Sequence, residues 1–122
     1  MARILLVDDE DTILNTLGAL LRSEMHDVLT AREGQEAYDL LWSTQDIELL
    51  ITDIRMSPVD GMELMRLSKE VRPQMPIVVV SAYLDEKTIK QVEDLGCAGY
   101  IKKPFTVKEA LQVIRKALGE ET

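Results

Sequence analysis

The stretch Ile4-Leu5-Leu6-Val7-Asp8-Asp9 decides the fold, because it joins a continuous apolar run to two carboxylates without a break. Such a run is typical of a strand that is buried on both faces of a parallel sheet. The arrangement recurs further along the chain, where Asp53, Ser81 and Lys103 each follow closely on a short apolar run. Because the carboxyl ends of parallel strands share one edge of a sheet, we expect these side chains to meet in one cleft.

Short apolar runs alternate along the chain with longer amphipathic stretches that have helical spacing. Capping-box spacing at Asp60 with Glu63 and at Thr106 with Glu109, and an N-cap residue at Asp85, mark predicted helix starts. The predicted strands are 3–7, 27–31, 48–52, 77–80 and 98–101, and the predicted helices are 12–23, 35–43, 62–71, 86–95 and 107–118. The core faces expected for the first and last helices are Ile13, Leu17, Leu20 and Leu21, and Val107, Leu111, Ile114 and Leu118.

Strict alternation of strand and helix predicts an α/β fold with a parallel sheet, helices on both faces and right-handed crossovers. Five such units suit a flavodoxin-like, doubly wound (βα)5 architecture with the strand order 2-1-3-4-5, an order that comes from the fold class rather than from these residues. In that order the first and third strands are neighbours, and a crevice opens at their carboxyl ends. Asp8, Asp9 and Asp53 are expected at this crevice.

The composition predicts one globular domain over residues 1–122, with 46% hydrophobic and 30% charged residues. The formal net charge of −8 repels phosphate backbones, so we expect neither direct nucleic-acid binding nor a hold on an anionic membrane. The single cysteine, Cys97, cannot form an internal disulfide, and the chain shows no signal pattern or apolar run long enough for a transmembrane helix. We therefore expect a cytoplasmic protein.

Three neighbouring carboxylates repel one another, which predicts a divalent cation among them. All-oxygen ligands favour Mg²⁺ over zinc, and the one histidine, His26, is expected away from this edge. A carboxylate beside Mg²⁺ can attack phosphorus, with Lys103 supplying an ammonium and Ser81 a hydroxyl donor. Any one of these residues could serve as a cap or a solvated loop end, but the whole set favours phosphoryl transfer.

The chain resembles a response-regulator receiver domain, the phosphoacceptor module of bacterial two-component signalling, over essentially all of its length. The residues that carry the resemblance are Ile4-Leu5-Leu6-Val7-Asp8-Asp9-Glu10, Asp53-Ile54-Arg55-Met56 leading to Asp60-Gly61, Ser81-Ala82, and Gly99-Tyr100-Ile101-Lys102-Lys103-Pro104-Phe105. The resemblance implies that Asp53 is phosphorylated. It also implies that Asp9 and Asp53 ligate Mg²⁺ together with the backbone carbonyl of Arg55, and that Asp8 acts through a metal-bound water.

Ser81 and Lys103 would contact the phosphoryl group, again by resemblance. Lys103 is preferred to Lys102 because the family's lysine directly precedes the proline, and the Lys103–Pro104 bond is expected to be cis. Ser81 and Tyr100 would act as the switch, with the serine hydroxyl moving toward the phosphoryl group and the Tyr100 ring turning inward.

One segment departs from the family pattern. Here Met56-Ser57-Pro58-Val59 places the proline one position later than is usual, although the spacing from Asp53 to Asp60 is kept. Because proline restricts φ, the path of this loop is expected to shift while the ligand positions stay in place.

The resemblance implies a histidine kinase or phosphotransfer protein as the phosphoryl donor. The signal would pass to an output domain or partner protein through helix four, strand five and helix five, where Lys87, Lys90, Gln91 and Lys108 are candidate exposed residues. It leaves room for a phosphorylation-dependent homodimer. The segment Gly119-Glu120-Glu121-Thr122 suits a tail or the start of a linker equally, so a free-standing receiver and a domain of a longer protein are both open. The second is favoured, because most members of the family carry an output domain.

Two side chains bear on how long the phosphorylated state lasts. Arg55 lies two residues after Asp53, and Tyr83 lies two residues after Ser81, so both occupy loop positions beside the cleft. If they reach across it, they exclude the water that would attack phosphorus, and the lifetime is long. If both point to solvent, they have no such effect.

Two other kinds of protein compete with this interpretation. A pseudo-receiver that serves only as an interaction module usually lacks the acceptor or the lysine, and both Asp53 and Lys103 are present. A metal-dependent phosphatase with an aspartyl nucleophile resembles Asp-x-Asp-x-Thr, whereas Asp53-Ile54-Arg55 lacks the second acid. Neither a dinucleotide-binding nor a P-loop glycine pattern follows any predicted strand.

Overall fold

The computed structural model describes residues 1–55 and 59–120, so the path of the loop at Met56–Pro58 lies outside the described residues. The strands are β1 (Arg3–Val7), β2 (Asp27–Ala31), β3 (Leu49–Thr52), β4 (Ile77–Ser81) and β5 (Gly99–Lys102), and the helices are α1 (Asp11–Ser23), α2 (Gly34–Ser43), α3 (Gly61–Val71), α4 (Glu86–Asp94) and α5 (Val107–Ala117). Across these two ranges, every helix is too short or too polar to cross a bilayer.

The strands form one parallel sheet in the order β2-β1-β3-β4-β5, which confirms the predicted doubly wound topology. β1 pairs with β2 on one side and with β3 on the other, so the chain reverses its winding direction between β1 and β3. Val7 and Thr52, the last residues of these two strands, are register partners. The next residue of each strand, Asp8 or Asp53, therefore emerges at the crevice predicted for this fold.

Two hydrophobic clusters lie on opposite faces of the sheet, because successive strand residues point to opposite sides. Odd-numbered residues of β1, such as Leu5 and Val7, pack with α2, α3 and α4. Even-numbered residues, such as Ile4 and Leu6, pack with α1 and α5. Both faces of the central strands are thereby covered, which accounts for their continuous apolar sequence.

The core face of α5 differs from the prediction. Val107, expected in the core, is 58% exposed and lines an apolar groove with Ile13 and Phe105. Ile114 is fully buried as predicted, and Ala110, which was not predicted, is the other fully buried residue of this helix. Leu111 is only partly buried, and Leu118 packs at the margin of the same cluster. In α1, Leu17 and Leu21 are buried as expected, Leu14 joins them, and Ile13 and Leu20 are partly buried.

Helix boundaries agree with the predicted signals to within one residue, which is the usual uncertainty of such assignments. Thr106 and Glu109 form a complete capping box. Asp60 and Asp85 accept hydrogen bonds from the backbone N–H of the residue three positions later, so each caps its helix.

Candidate functional site

Asp8 and Asp53 lie side by side because the hydrogen-bond ladder of the sheet continues into both residues. The backbone N–H of Asp8 donates to the carbonyl of Ala31 at 3.1 Å, and that of Asp53 donates to the carbonyl of Val7 at 3.0 Å. Asp8 is 1% exposed and Asp53 is 5% exposed, so both carboxylates are almost removed from water. Burial of a charged group is costly without partners, and the site supplies them.

Each carboxylate is held by a backbone donor at one oxygen and by Lys103 at the other. Oδ1 of Asp8 accepts from the backbone N–H of Glu10 at 2.9 Å, and Oδ1 of Asp53 accepts from that of Ile54 at 2.6 Å. The Lys103 ammonium donates to Oδ2 of Asp8 at 2.7 Å and to Oδ2 of Asp53 at 2.9 Å. The orientation of both carboxylates is therefore fixed from two sides.

Lys103 follows β5, and its backbone N–H donates to the carbonyl of Ser81 at 2.9 Å. Its side chain is 9% exposed, whereas Lys102 is exposed and does not join the carboxylates. Burial disfavours the ammonium, but hydrogen bonds to Asp8 and Asp53 outweigh burial and raise the pKa of Lys103 above its usual range. Burial also raises the pKa of Asp8, and its bond to Lys103 offsets this only in part.

Four carboxylates form the candidate metal centre. Asp8, Asp9, Glu10 and Asp53 each present an oxygen, and these oxygens lie within 4.8 Å of one another. A hard divalent cation such as Mg²⁺ prefers an all-oxygen donor set of this kind and keeps several waters, which the exposed positions of Asp9 and Glu10 allow. One ammonium cannot balance four carboxylates, so the residues fit a divalent cation.

Ser81 ends β4 and is completely buried. Its Oγ accepts a hydrogen bond from the backbone N–H of Tyr83 at 3.0 Å, and within residues 1–55 and 59–120 the hydroxyl donates no hydrogen bond. The hydroxyl can therefore donate to a newly arrived anion. Tyr100, on the neighbouring strand β5, is 38% exposed, so its ring is not buried in this structure.

Arg55 and Tyr83 contact each other beside the cleft. The guanidinium carbon of Arg55 lies 3.9 Å from the centroid of the Tyr83 ring, and the phenol remains 52% exposed. The two side chains border a cavity of about 300 Å³, whose other lining residues are Ala82, Leu84, Asp85 and Lys102. The two side chains therefore contact each other across the loops, and both remain exposed to solvent.

Two further residues contribute to the site, although the sequence motifs that contain them did not indicate a role for either. Oε1 of Glu10 lies 3.2 Å from the Lys103 ammonium, and its position directly after Asp8 and Asp9 was the available signal. Gly61 allows the start of α3 to approach the acceptor segment, because a Cβ at this position would lie 2.0 Å from the Asp53 carbonyl oxygen. The capping-box spacing of Asp60 with Glu63 pointed to a helix start here, but not to this contact.

Comparison with known proteins agrees with this geometry. Over residues 4–115 the chain matches the family described as response regulator receiver domain. It is 33% identical over 117 residues to the transcriptional regulatory protein GlrR of Escherichia coli (strain K12), covering 96% of this chain and 26% of that protein. It is 30% identical over 118 residues to the response regulator SaeR of Staphylococcus aureus (strain USA300), covering 97% of this chain and 51% of that protein.

The chain thus spans between about a quarter and about half of the length of these curated relatives. A crystal structure of a response regulator receiver domain protein from Clostridium thermocellum superimposes with a TM-score of 0.90 at 29% identity, covering 98% of this chain and 95% of that one. A CheY-like receiver domain protein from Methanospirillum hungatei gives a TM-score of 0.90 at 27% identity, with coverages of 98% and 94%. With the sheet order, the acidic crevice and these matches in agreement, the chain belongs to the family of two-component response regulator receiver domains.

Proposed function

We propose that residues 1–122 form a receiver domain in which Asp53 accepts the phosphoryl group. The observation that carries the proposal is the 2.9 Å hydrogen bond between Oδ2 of Asp53 and the Lys103 ammonium, at a carboxylate that adjoins the acidic cluster. Among the four clustered acids, Asp8 is also bonded to Lys103, but it is more deeply buried than Asp53. Asp9 and Glu10 are exposed and less constrained.

In the proposed reaction, a carboxylate oxygen of Asp53 forms a bond to phosphorus while the bond from phosphorus to the donor breaks. The donor atom is an imidazole nitrogen of a histidine kinase or phosphotransfer protein, and the departing imidazole keeps the electron pair of the broken bond and takes up a proton. Lys103 neutralises charge on the phosphoryl oxygens, and the Ser81 hydroxyl donates to one of them. Both groups are positioned by the backbone bond between Lys103 and Ser81.

Asp9, Asp53 and the backbone carbonyl of Arg55 would hold Mg²⁺, and Asp8 would hold it through a water. The cation, when bound, neutralises charge on the phosphoryl oxygens. The 4.8 Å spread of the carboxylate oxygens supports this assignment. Asp8 is held by Lys103 and by the backbone N–H of Glu10, and it keeps the Lys103 ammonium in place beside Asp53.

The protein acts only on its own phosphoryl group in this proposal. Transfer to Asp53 and later hydrolysis of the aspartyl phosphate depend on Mg²⁺, and no separate substrate is turned over. A phosphatase that uses an aspartyl nucleophile needs a second acid near it to protonate the leaving group. The residue two positions after Asp53 is Arg55, whose side chain stacks on Tyr83, and this argues against that class.

The proposed output surface consists of α4, β5 and α5, which would meet an output domain, a partner protein or a second phosphorylated copy of the chain. Its α4 buries only Val92 completely, so this helix is the least anchored and can shift at low cost. Lys87, Lys90 and Lys108 are exposed on this surface. Receiver domains interact with histidine kinases and output domains, and these lysines would contact acidic groups on such a partner.

Intact-protein mass spectrometry with acetyl phosphate and Mg²⁺ tests the proposed acceptor. The wild-type protein should gain the mass of one phosphoryl group, and Asp53→Asn should gain none. Asp39→Asn is a matched control, because Asp39 is an exposed acid on α2 that bonds only the side chain of Gln35 among the residues described. An adduct that persists in Asp53→Asn would show that another residue is the acceptor.

A further inference from the structure

The Lys103 ammonium has three N–H donors, and the structure supplies three carboxylate acceptors. Its nitrogen lies 2.7 Å from Asp8, 2.9 Å from Asp53 and 3.2 Å from Glu10. A phosphoryl group on Asp53 needs a donor from the same ammonium. The arriving phosphoryl group must therefore share the ammonium with these carboxylates or displace one of them.

Asp53 itself receives the phosphoryl group, so Asp8 and Glu10 are the two partners of Lys103 that remain free carboxylates, and they differ in how costly their bonds are to lose. The Asp8 side chain is 1% exposed, so loss of its ammonium would leave a buried carboxylate without its cation. The Glu10 side chain is 56% exposed, and its bond is the longest of the three, so water can replace the ammonium there at little cost. Of these two carboxylates, Glu10 is therefore the one that Lys103 can release more easily.

The backbone N–H and carbonyl of Glu10 already make hydrogen bonds of their own. Glu10 is the N-cap residue of α1, but its side chain makes no capping hydrogen bond. Its N–H donates to Asp8, and its carbonyl accepts from Ile13 and Leu14. A change of the side chain alone leaves these bonds in place, so the role of the carboxylate can be tested without removing the helix start.

We propose that Glu10 is a positioning residue that holds Lys103 before phosphorylation and competes with the phosphoryl group for it. This inference rests on the proposed function of Asp53. The Glu10 carboxylate occupies a donor that the transferred group requires, and it adds negative charge beside the approach of an anionic phosphoryl donor. Both effects slow phosphorylation, so Asp53 is phosphorylated more slowly than it would be without the Glu10 carboxylate.

The test compares initial rates of Asp53 phosphorylation by acetyl phosphate at saturating Mg²⁺, so that any change in metal affinity does not contribute. Glu10→Gln should react about two- to five-fold faster than the wild type at subsaturating acetyl phosphate, as expected from the loss of an exposed ion pair. Glu70→Gln makes the same change of charge at an exposed position near the end of α3, at the opposite edge of the sheet, and should react like the wild type. A rate for Glu10→Gln that is equal to the wild-type rate, or slower, would overturn the inference.

Glu10→Asp separates contact from charge, because it keeps the carboxylate but shortens the side chain that reaches Lys103. It should also react faster than the wild type, by less than Glu10→Gln. If Glu10→Asp reacts no faster than the wild type, the net charge alone is responsible and Glu10 does not position Lys103. If the wild type itself forms no adduct at Asp53, the phosphoacceptor assignment fails, and this inference fails with it.

Discussion

The guanidinium of Arg55 stacks on the ring of Tyr83, with 3.9 Å between the guanidinium carbon and the ring centroid. This pair joins the loop after β3 to the loop after β4. Asp53 lies in the first of these loops, and Ser81 ends the strand that precedes the second. Hydrolysis of an aspartyl phosphate needs a water in line with the bond to the carboxylate. We predict that the stacked pair shields this approach and makes the phosphorylated state long-lived.

Removal of the pair should shorten that lifetime. In Arg55→Asn with Tyr83→Glu, loss of phosphate should be several-fold faster, because the stack is gone and the new side chains can orient a water. Phosphate release from purified phosphorylated protein measures the rate. Tyr83→Phe keeps the ring face and should behave like the wild type, and an unchanged rate in the double variant would show that shielding does not set the lifetime.

Binding of Mg²⁺ should stabilise the fold, because the four clustered carboxylates come together only in the folded protein. The expected gain in the free energy of unfolding is about 1.4 kcal/mol at ten times the dissociation constant. Urea denaturation with and without Mg²⁺ measures it. Asp9→Asn should lose most of the gain, since Asp9 is an exposed member of the cluster, and superimposable curves for the wild type would contradict a metal site here.

Phosphorylation should move Ser81 and Tyr100 together. A phosphoryl group on Asp53 offers the Ser81 hydroxyl a strong acceptor, so the hydroxyl leaves its contact with the Tyr83 backbone and vacates space for the Tyr100 ring. In a complex with beryllofluoride, which mimics the phosphoryl group, Tyr100 should become buried from its present 38% exposure. NMR spectra of this complex test the movement.

The matched variant for this switch is Ser81→Ala, which lacks the moving hydroxyl. It should still bind beryllofluoride, but the resonances of Tyr100 and α4 should shift much less than in the wild type. If those resonances stay in place in the wild-type complex, the signal follows another route.

Gly61 should be intolerant of any side chain. A Cβ there would lie 2.0 Å from the Asp53 carbonyl oxygen and 2.7 Å from the Ile54 Cα, and neither backbone atom can move without shifting the acceptor. We expect Gly61→Ala to lower the free energy of unfolding by about 3 kcal/mol, from steric overlap.

A glycine in α1 provides the control for that change. A Cβ at Gly18 would meet the end of the long Arg22 side chain at 3.2 Å and the Leu6 side chain at an ordinary 3.9 Å, so Gly18→Ala should raise stability by about 0.5–1 kcal/mol through helix propensity. Urea denaturation compares the two variants. Equal stability of Gly61→Ala and the wild type would mean that the approach of α3 to the acceptor segment is not as close as described.

The sequence predicted the sheet and its crevice well, because buried strands and cap residues carry strong local signals. The face of α5 that packs against the sheet was harder to predict. The apolar residues of this helix fit two overlapping stripes that share Ile114, the predicted one through Val107 and Leu111 and another through Ala110, and periodicity alone does not say which one faces the sheet. The packed stripe is the one with the small residue Ala110, which permits close approach to the strands.

The site was predictable wherever topology alone brings residues together. The strand ends converge in any sheet of this order, so Asp8, Asp53 and Lys103 could be placed in one cleft from the pattern and the resemblance. Contacts made by exposed side chains were not predictable, because the hydrophobic periodicity of the sequence does not indicate where a long polar side chain points. The Glu10 bond to Lys103 and the stacking of Arg55 on Tyr83 are both of this kind.

The unequal burial of the central strands and α4 has a consequence for how the molecule opens. Every residue of β3 and β4 is buried, whereas α4 has one buried residue, Val92. Local opening is least costly where few apolar contacts are lost, so amide hydrogens of α4 should exchange with solvent long before those of the strands. The helix can thus unfold and reform many times while the strand ends that carry the carboxylates keep their spacing. Motion of α4 that transmits the signal therefore leaves the geometry of the phosphoryl site unchanged.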